Sequence, residues 1–148
     1  MTTPDDPAAF QFFTEIGILE QLSRNRLEAN LLYGLKVSQF GVLNHLVRLG
    51  GSWSPSRLAK AFQVTKGAMT NTLQRLEKCG FVQITNDPDD ARGKCVVITK
   101  TGLNARSECL QSVDPLLTRL STAISDKEIR AILPTLEKIR VYLDKRRS

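Results

Sequence analysis

The sequence predicts a mainly α-helical chain with a small β-hairpin wing: a winged helix-turn-helix with further helices at its N- and C-terminal ends. Three observations predict it. Ser54-Pro55 and Thr65 open two short consecutive helices, each with a hydroxyl at the N-cap, the first with proline where a missing N–H costs nothing. Two β-type runs, Phe81-Val82-Gln83-Ile84-Thr85 and Cys95-Val96-Val97-Ile98-Thr99, follow directly. Longer apolar-periodic segments stand before and after them.

In chain order, residues 1–9 read as a frayed tail. Phe10 to Leu32 reads as a helix anchored by Phe13, Ile16, Leu19 and Leu27. Its loose periodicity suits burial of more than one face. Tyr33-Gly34 breaks it. Ser38 is expected to cap a helix with Phe40, Leu43 and Val47 on one side, ended by Gly50-Gly51. The Ser54 helix runs to Phe62 and turns Leu58, Ala59 and Phe62 inward. Gln63-Val64 turns the chain into the Thr65 helix, which reaches about Cys79, with Gly80 at a left-handed cap. The two β runs then form a hairpin whose tip, Asn86 to Lys94, is long and charged, with Pro88 and Gly93 as turn residues.

A helix starting near Thr101 places Leu103, Leu110 and Leu117 seven apart, and Val113 and Leu120 likewise. Interleaved seven-residue series predict a packed helix–helix seam. Pro115 is expected to kink this helix or start a new one. Ser125-Asp126-Lys127-Glu128 is a capping box. The last helix carries the stripe Ile129, Ile132, Leu133, Leu136, Ile139 and Leu143, a kink is expected at Pro134, and the basic end Lys145-Arg146-Arg147 suits a helix C-terminus. The division expected is 1–34 for the tail and first arm, 35–100 for the winged lobe and 101–148 for the C-terminal arms.

With 148 residues, 41% of them hydrophobic, the chain suits one domain with arms. Its 21 Lys and Arg against 15 Asp and Glu leave +6, which favours phosphate-bearing partners. The polar, acidic N-terminus lacks the marks of a signal peptide. No apolar run approaches the ~18 residues of a membrane helix, so a cytoplasmic location is expected. There Cys79, Cys95 and Cys109 are expected as free thiols. His45 is the single histidine, and a lone histidine without adjacent cysteine is a poor metal site. Asp87, Asp89 and Asp90 resemble a calcium loop only superficially, because Ala91 holds the fifth position and no Glu closes it. Neither a cofactor nor an enzymatic role is expected: the sequence has no phosphate-binding glycine loop, no nucleophile elbow and no histidine suited as a base.

Turned at ~100° per residue, the Thr65 helix puts Met69, Thr72, Leu73 and Leu76 on one side. Gly67, Asn71, Gln74 and Lys78 fall on the other, flanked by Lys66, Thr70 and Arg75. An ordinary solvated face has a similar composition. This one, however, is free of carboxylates near its centre and suits a DNA major groove, where Asn and Gln pair with adenine and Lys and Arg reach guanine or phosphate. Ser54, Thr65, Gly67 and Ala68 stand at helix starts, where exposed N–H groups favour phosphate. Arg92 and Lys94 lie near the hairpin tip, and an arginine there fits a narrow minor groove. Between Arg48 and Lys100 there are nine cations against four carboxylates, so most of the net charge sits in this segment.

The stretch from Leu35 to Gly102 resembles the MarR family of bacterial transcriptional regulators. The matching pieces are Leu35-Lys36-Val37-Ser38-Gln39-Phe40, Leu58-Ala59-Lys60, Val64-Thr65-Lys66-Gly67-Ala68-Met69-Thr70, and Leu73 through Val82. The most specific piece is Asp87-Pro88-Asp89-Asp90-Ala91-Arg92-Gly93-Lys94, running into Val97-Ile98-Thr99-Lys100-Thr101-Gly102. The resemblance implies an obligate homodimer joined by its N- and C-terminal helices. It implies one reading helix per half-site of a pseudo-palindromic double-stranded operator, Arg92 in the minor groove, and Asp90 orienting Arg92. Asn71 departs from it, standing where many members carry a base, so no operator sequence carries over. The function expected is a DNA-binding regulator, a repressor relieved by a small effector. Phe13, Ile16, Tyr33, Phe40 and His45 are the candidate effector pocket, although aromatic residues there also serve as plain core. Two alternatives stand beside it: a redox-responsive regulator using Cys79 or Cys95, and a winged-helix protein-interaction module that reads no DNA.

Overall fold

The computed structural model describes residues 5–145. Six helices and one hairpin follow in the order α1 (Ala8–Asn30), α2 (Val37–Leu49), α3 (Pro55–Phe62), α4 (Lys66–Lys78), β1 (Val82–Asp87), β2 (Asp90–Ile98), α5 (Lys100–Leu120) and α6 (Asp126–Lys145). The chain divides into two compact units, one ending at Val113 and one beginning at Asp114, so the boundary falls inside α5. It lies well beyond the expected break at residue 100.

The first unit is built around one apolar core. Leu43, Leu46, Leu58, Leu73 and Leu76 are almost completely buried, from α2, α3 and α4, and Phe81, Val82, Val96, Ala105 and Cys109 close the cluster. Each buried leucine contributes about 1.5–3 kcal/mol. The start signals act as the sequence requires: Ser54 Oγ accepts the Arg57 N–H at 3.1 Å, and Thr65 Oγ1 accepts the Ala68 N–H at 3.1 Å. Between α3 and α4, Gln63 takes a left-handed backbone at φ 56°.

Several expectations are corrected here. α1 begins at Ala8, so only part of the expected tail is non-helical. Residues 1–4 lie outside the described residues. None of its anchors is buried: Phe13, Ile16 and Leu19 are exposed, Leu19 at 58%, and Leu27 is half-buried. α2 starts at Val37, not after Ser38, because Gln39 Oε1 reaches back to accept the Lys36 N–H at 3.0 Å and closes the first turn earlier. The hairpin tip is tight rather than long. Asp87 Oδ1 accepts the Asp89 N–H at 2.9 Å, which folds the chain back at Pro88-Asp89 and pairs Asp87 with Asp90. A short side chain that mimics a backbone turn replaces an open loop. The surplus residues Ala91, Arg92 and Gly93 are absorbed by a register shift between Asn86 and Asp87. A third edge also forms: Trp53 exchanges main-chain bonds with Val96, 3.0 Å and 2.7 Å long.

α5 turns a small-residue face inward. Gly102, Ala105, Cys109 and Val113 are buried, whereas Leu103, Leu110, Leu117 and Leu120 are exposed. Of the expected seam, Val113 is therefore buried and the four leucines stay exposed within one chain. Pro115 sits inside α5 and starts no new helix. Proline removes one N–H bond, and the turns on either side hold the helix across it.

The second unit contains the end of α5 and all of α6. Ser125 and Glu128 form the expected capping box: Ser125 Oγ accepts the Glu128 N–H at 3.1 Å, and Glu128 Oε1 accepts from the Ser125 N–H at 3.2 Å. α6 runs through Pro134. Its stripe is covered in part: Ile129, Leu136 and Ile139 are half-buried, whereas Ile132 is 51% exposed and Leu133 and Leu143 are similar. Arg146 and Arg147 lie outside the described residues.

His45 is wedged between aromatics, its ring centroid 4.5 Å from Trp53 and 5.2 Å from Phe62. Its buried Nε2 has no hydrogen-bond partner. Burial, and then Arg48 and Arg57, push its pKa below the ordinary 6.5. The unfolded chain thus takes up this proton at higher pH than the folded one, and stability falls as pH drops through about 6.5 towards the folded value. Melting temperatures between pH 7.5 and 5.5 should decline in the wild type and stay nearly level in His45→Gln, since ordinary carboxylates titrate near ~4. An equal decline in both proteins rules out His45 as the source.

Candidate nucleic-acid interface

The two faces of α4 separate cleanly. Met69, Leu73 and Leu76 are buried and Thr72 is half-buried, whereas Lys66, Gly67, Ala68, Thr70, Asn71, Gln74, Arg75 and Lys78 are all exposed. The cause is local: Thr65 fixes where the helix starts, and the buried positions recur at three- and four-residue spacing. One carboxylate, Glu77, is on this helix, at its C-terminal end.

A cleft of about 500 Å3 lies between the N-terminus of α4, the N-terminus of α3 and the hairpin. Ser54, Lys66, Thr70, Arg92 and Lys94 line it together with Pro55, Ser56, Asp87, Asp90 and Gly93. Five residues expected to touch DNA therefore meet in one concave surface, where Lys66, Arg92 and Lys94 face Asp87 and Asp90. Thr65, Gly67, Ala68, Asn71, Gln74, Arg75 and Lys78 do not line it. Asp90 Oδ1 accepts the Arg92 main-chain N–H at 3.0 Å. That bond shapes the backbone from which Arg92 projects, and among the described residues no ion pair holds the guanidinium itself. Lys94 Nζ donates to Asn86 Oδ1 at 2.8 Å across the hairpin.

Sequence reasoning passed over Trp53 and took Arg57 only as one of the nine cations. The Arg57 guanidinium stacks 4.2 Å over the Trp53 ring, so α3 leans on the edge residue that pairs with the hairpin. A single paired residue leaves no alternating pattern to read. Pro55 and Ser56 were legible only as a helix start.

The proposed effector residues have different neighbours. Phe13 packs edge-on against Phe12. Ile16 is exposed and Phe40 borders the core. Tyr33 meets Phe81 edge-on, and its hydroxyl donates to the Glu108 carboxylate, a bond that raises the Tyr33 pKa. His45 faces Trp53 and Phe62. Cys109 is buried, which raises its thiol pKa and disfavours the reactive thiolate. Cys79 and Cys95 are half-buried free thiols. Among the described residues no cluster of three or more His, Cys, Asp and Glu is arranged for a metal, and no helix is long and apolar enough to cross a membrane.

This arrangement has known counterparts. The family model described as MarR family matches residues 33–93. The chain is also 31% identical over 119 residues to the multiple antibiotic resistance protein MarR of Salmonella typhimurium, covering 78% of this chain and 82% of that one. The chain belongs to the MarR family. Other MarR-family structures share its fold. A mutant MarR from E. coli, crystallised with operator DNA, superposes with a TM-score of 0.71 at 27% identity, over 87% of this chain and 93% of that one. The transcriptional regulator BldR from Sulfolobus solfataricus gives 0.79 at 24% identity, over 96% and 99% of the two chains, a likeness of fold alone.

Proposed function

We propose that this MarR-family transcriptional regulator acts as a homodimer that grips a pseudo-palindromic double-stranded operator. The observation that carries the reading is the exposed face of α4, cationic and amide-bearing, beside a hairpin that offers Arg92 at its end. In this reading Lys66, Gly67, Ala68, Thr70, Asn71, Gln74 and Lys78 meet bases and phosphates in the major groove, while Arg92 enters the minor groove. The operator complex of the E. coli relative supports it.

Dimerisation is supported by uncovered apolar side chains on the arms. Phe10, Leu19, Leu110, Leu117, Ile132 and Leu143 are all exposed in the single chain. A monomer seldom leaves such patches open to water, and a second copy would cover them. Pairing the arms would also set two reading helices roughly 34 Å apart on one face of DNA. The 101–148 segment then serves as a dimer arm even though α5 is shared between the two units. Relief by a small effector completes the reading, and a thermal-shift screen of small ligands tests that part.

The test of DNA reading begins with selection of bound duplexes from a random library. Arg92→Ala should weaken binding to the selected duplex by about 1–3 kcal/mol, the range for one specific contact. Mobility shifts equal to wild type would remove Arg92 from the interface. No enrichment of any sequence by the wild type would remove operator reading itself.

A further inference from the structure

Arg75 was expected to touch DNA, and one nitrogen of its guanidinium has a partner within the chain. Its Nη2 donates to the Tyr33 carbonyl at 3.1 Å, across 42 residues of sequence. The same nitrogen lies 3.3 Å from where a Cβ on Gly34 would sit, so the turn and the guanidinium are packed against each other. Arg75 is also absent from the cleft formed with Arg92 and Lys66.

The turn it grips has an unusual backbone. Tyr33 and Gly34 both take left-handed conformations, with φ of 62° and 66°. For glycine this is ordinary. For tyrosine it is unfavourable, and such a residue persists only where its surroundings hold it in place. Those surroundings come from three directions. The Tyr33 hydroxyl donates to the Glu108 carboxylate of α5. The Tyr33 ring meets Phe81, 5.3 Å away, at the foot of the hairpin. The Arg75 guanidinium of α4 holds the Tyr33 carbonyl. Just upstream, Ser112 Oγ of α5 lies 2.6 Å from the carbonyl oxygen of Asn30, the last residue of α1, and 2.7 Å from that of Cys109, so its single proton is shared between them. The end of α1 is thus tied to α5, and the strained turn that follows is tied to both α5 and α4.

We propose that Arg75 is a positioning residue: with Tyr33 and Glu108 it forms a joint that transmits the placement of the α1 arm to the reading helix. It acts through the turn and not through phosphate. A shift of α1 moves the Tyr33 carbonyl, and the guanidinium carries that shift into the C-terminal half of α4. The joint is read from the free chain. Its consequence for operator spacing rests on the DNA-binding reading above, and the two are tested separately.

The first test needs no DNA. Amide hydrogen exchange is compared between the wild type and Tyr33→Phe, which keeps the ring and carbonyl but removes the bond to Glu108. Loss of a hydrogen bond to a charged group should speed exchange about tenfold, both in the 31–35 turn and in residues 73–79, while α3 keeps its wild-type rates. Exchange that rises in the turn but not in α4, or that rises equally everywhere, overturns the joint.

The second test uses duplexes selected by the wild type, with half-sites moved apart by one or two base pairs. Arg75→Met keeps the aliphatic stem and removes every donor. It should bind the selected duplex about tenfold more weakly, discriminate less between spacings, and keep the wild-type salt slope. A phosphate-binding arginine would instead lower that slope by about one for each protomer. A lowered slope with unchanged spacing preference overturns the proposal. Failure of the wild type to select any duplex refutes operator reading and the spacing role with it, while the exchange result still decides the joint.

Discussion

Replacing Gly102 by alanine is expected to destabilise the protein by about 3 kcal/mol, the upper part of the range for forcing an extra carbon into a packed site. Taken alone, the substitution should help, because alanine favours a helix by about 1 kcal/mol over glycine. The surroundings reverse that preference. A Cβ at this position would overlap the Phe81 carbonyl oxygen and lie 2.8 Å from Ile98 Cγ1. The Phe81 carbonyl has no room to retreat, because it accepts the Thr99 N–H at 3.0 Å. Thr99 Oγ1 in turn donates to the Gly80 carbonyl at 2.6 Å and accepts the Gly102 N–H at 3.0 Å. The chain leaving α4 is thus docked on the first turn of α5 by one main-chain bond and by the Thr99 hydroxyl. At roughly 2–4 °C per kcal/mol for a chain of this size, the melting temperature should drop by about 6–12 °C. A melting temperature equal to or above wild type would show that the two segments are not held this closely.

A second large effect is expected from salt. Lys66, Lys78, Arg92 and Lys94 are exposed on the proposed interface, and a dimer presents each of them twice. If six to ten phosphates are neutralised, affinity for the selected duplex should fall about 10³- to 10⁵-fold between 50 and 200 mM salt, through release of condensed counterions. Fluorescence anisotropy titrations over that range measure the slope directly. A protein-interaction module with the same fold would show no DNA affinity even at low salt, and its partner binding would change little. A flat slope would therefore move the function away from the phosphate backbone.

Much of the site was legible because it rests on local chemistry. Ser54, Pro55 and Thr65 set helix starts through bonds that span three residues. The buried spacing of Met69, Leu73 and Leu76 decided which α4 residues face water. The hairpin strands were legible, but their length was not. Asp87 and Asp90 bond their own backbone, and composition alone does not distinguish such a turn from an open charged loop. The anchors proposed for α1 failed for a different reason. Apolar residues such as Phe13 and Leu19 fit a buried face by type and spacing, yet in the folded chain they stay exposed.

By itself the sequence determined the order of elements, the exposed face of α4 and the family, since each depends on short-range bonds, helical period or a contiguous motif. Only the tertiary structure decided the uses of side chains whose partners are distant in sequence. It turned the small residues of α5 inward, paired Trp53 with Val96, and seated His45 between two aromatic rings. It also set the exposed Arg75 side chain on the Tyr33 carbonyl. The physical reason is the same throughout: a cation, an aromatic ring or a small residue is compatible with many partners, and only the packed chain brings one of them within reach.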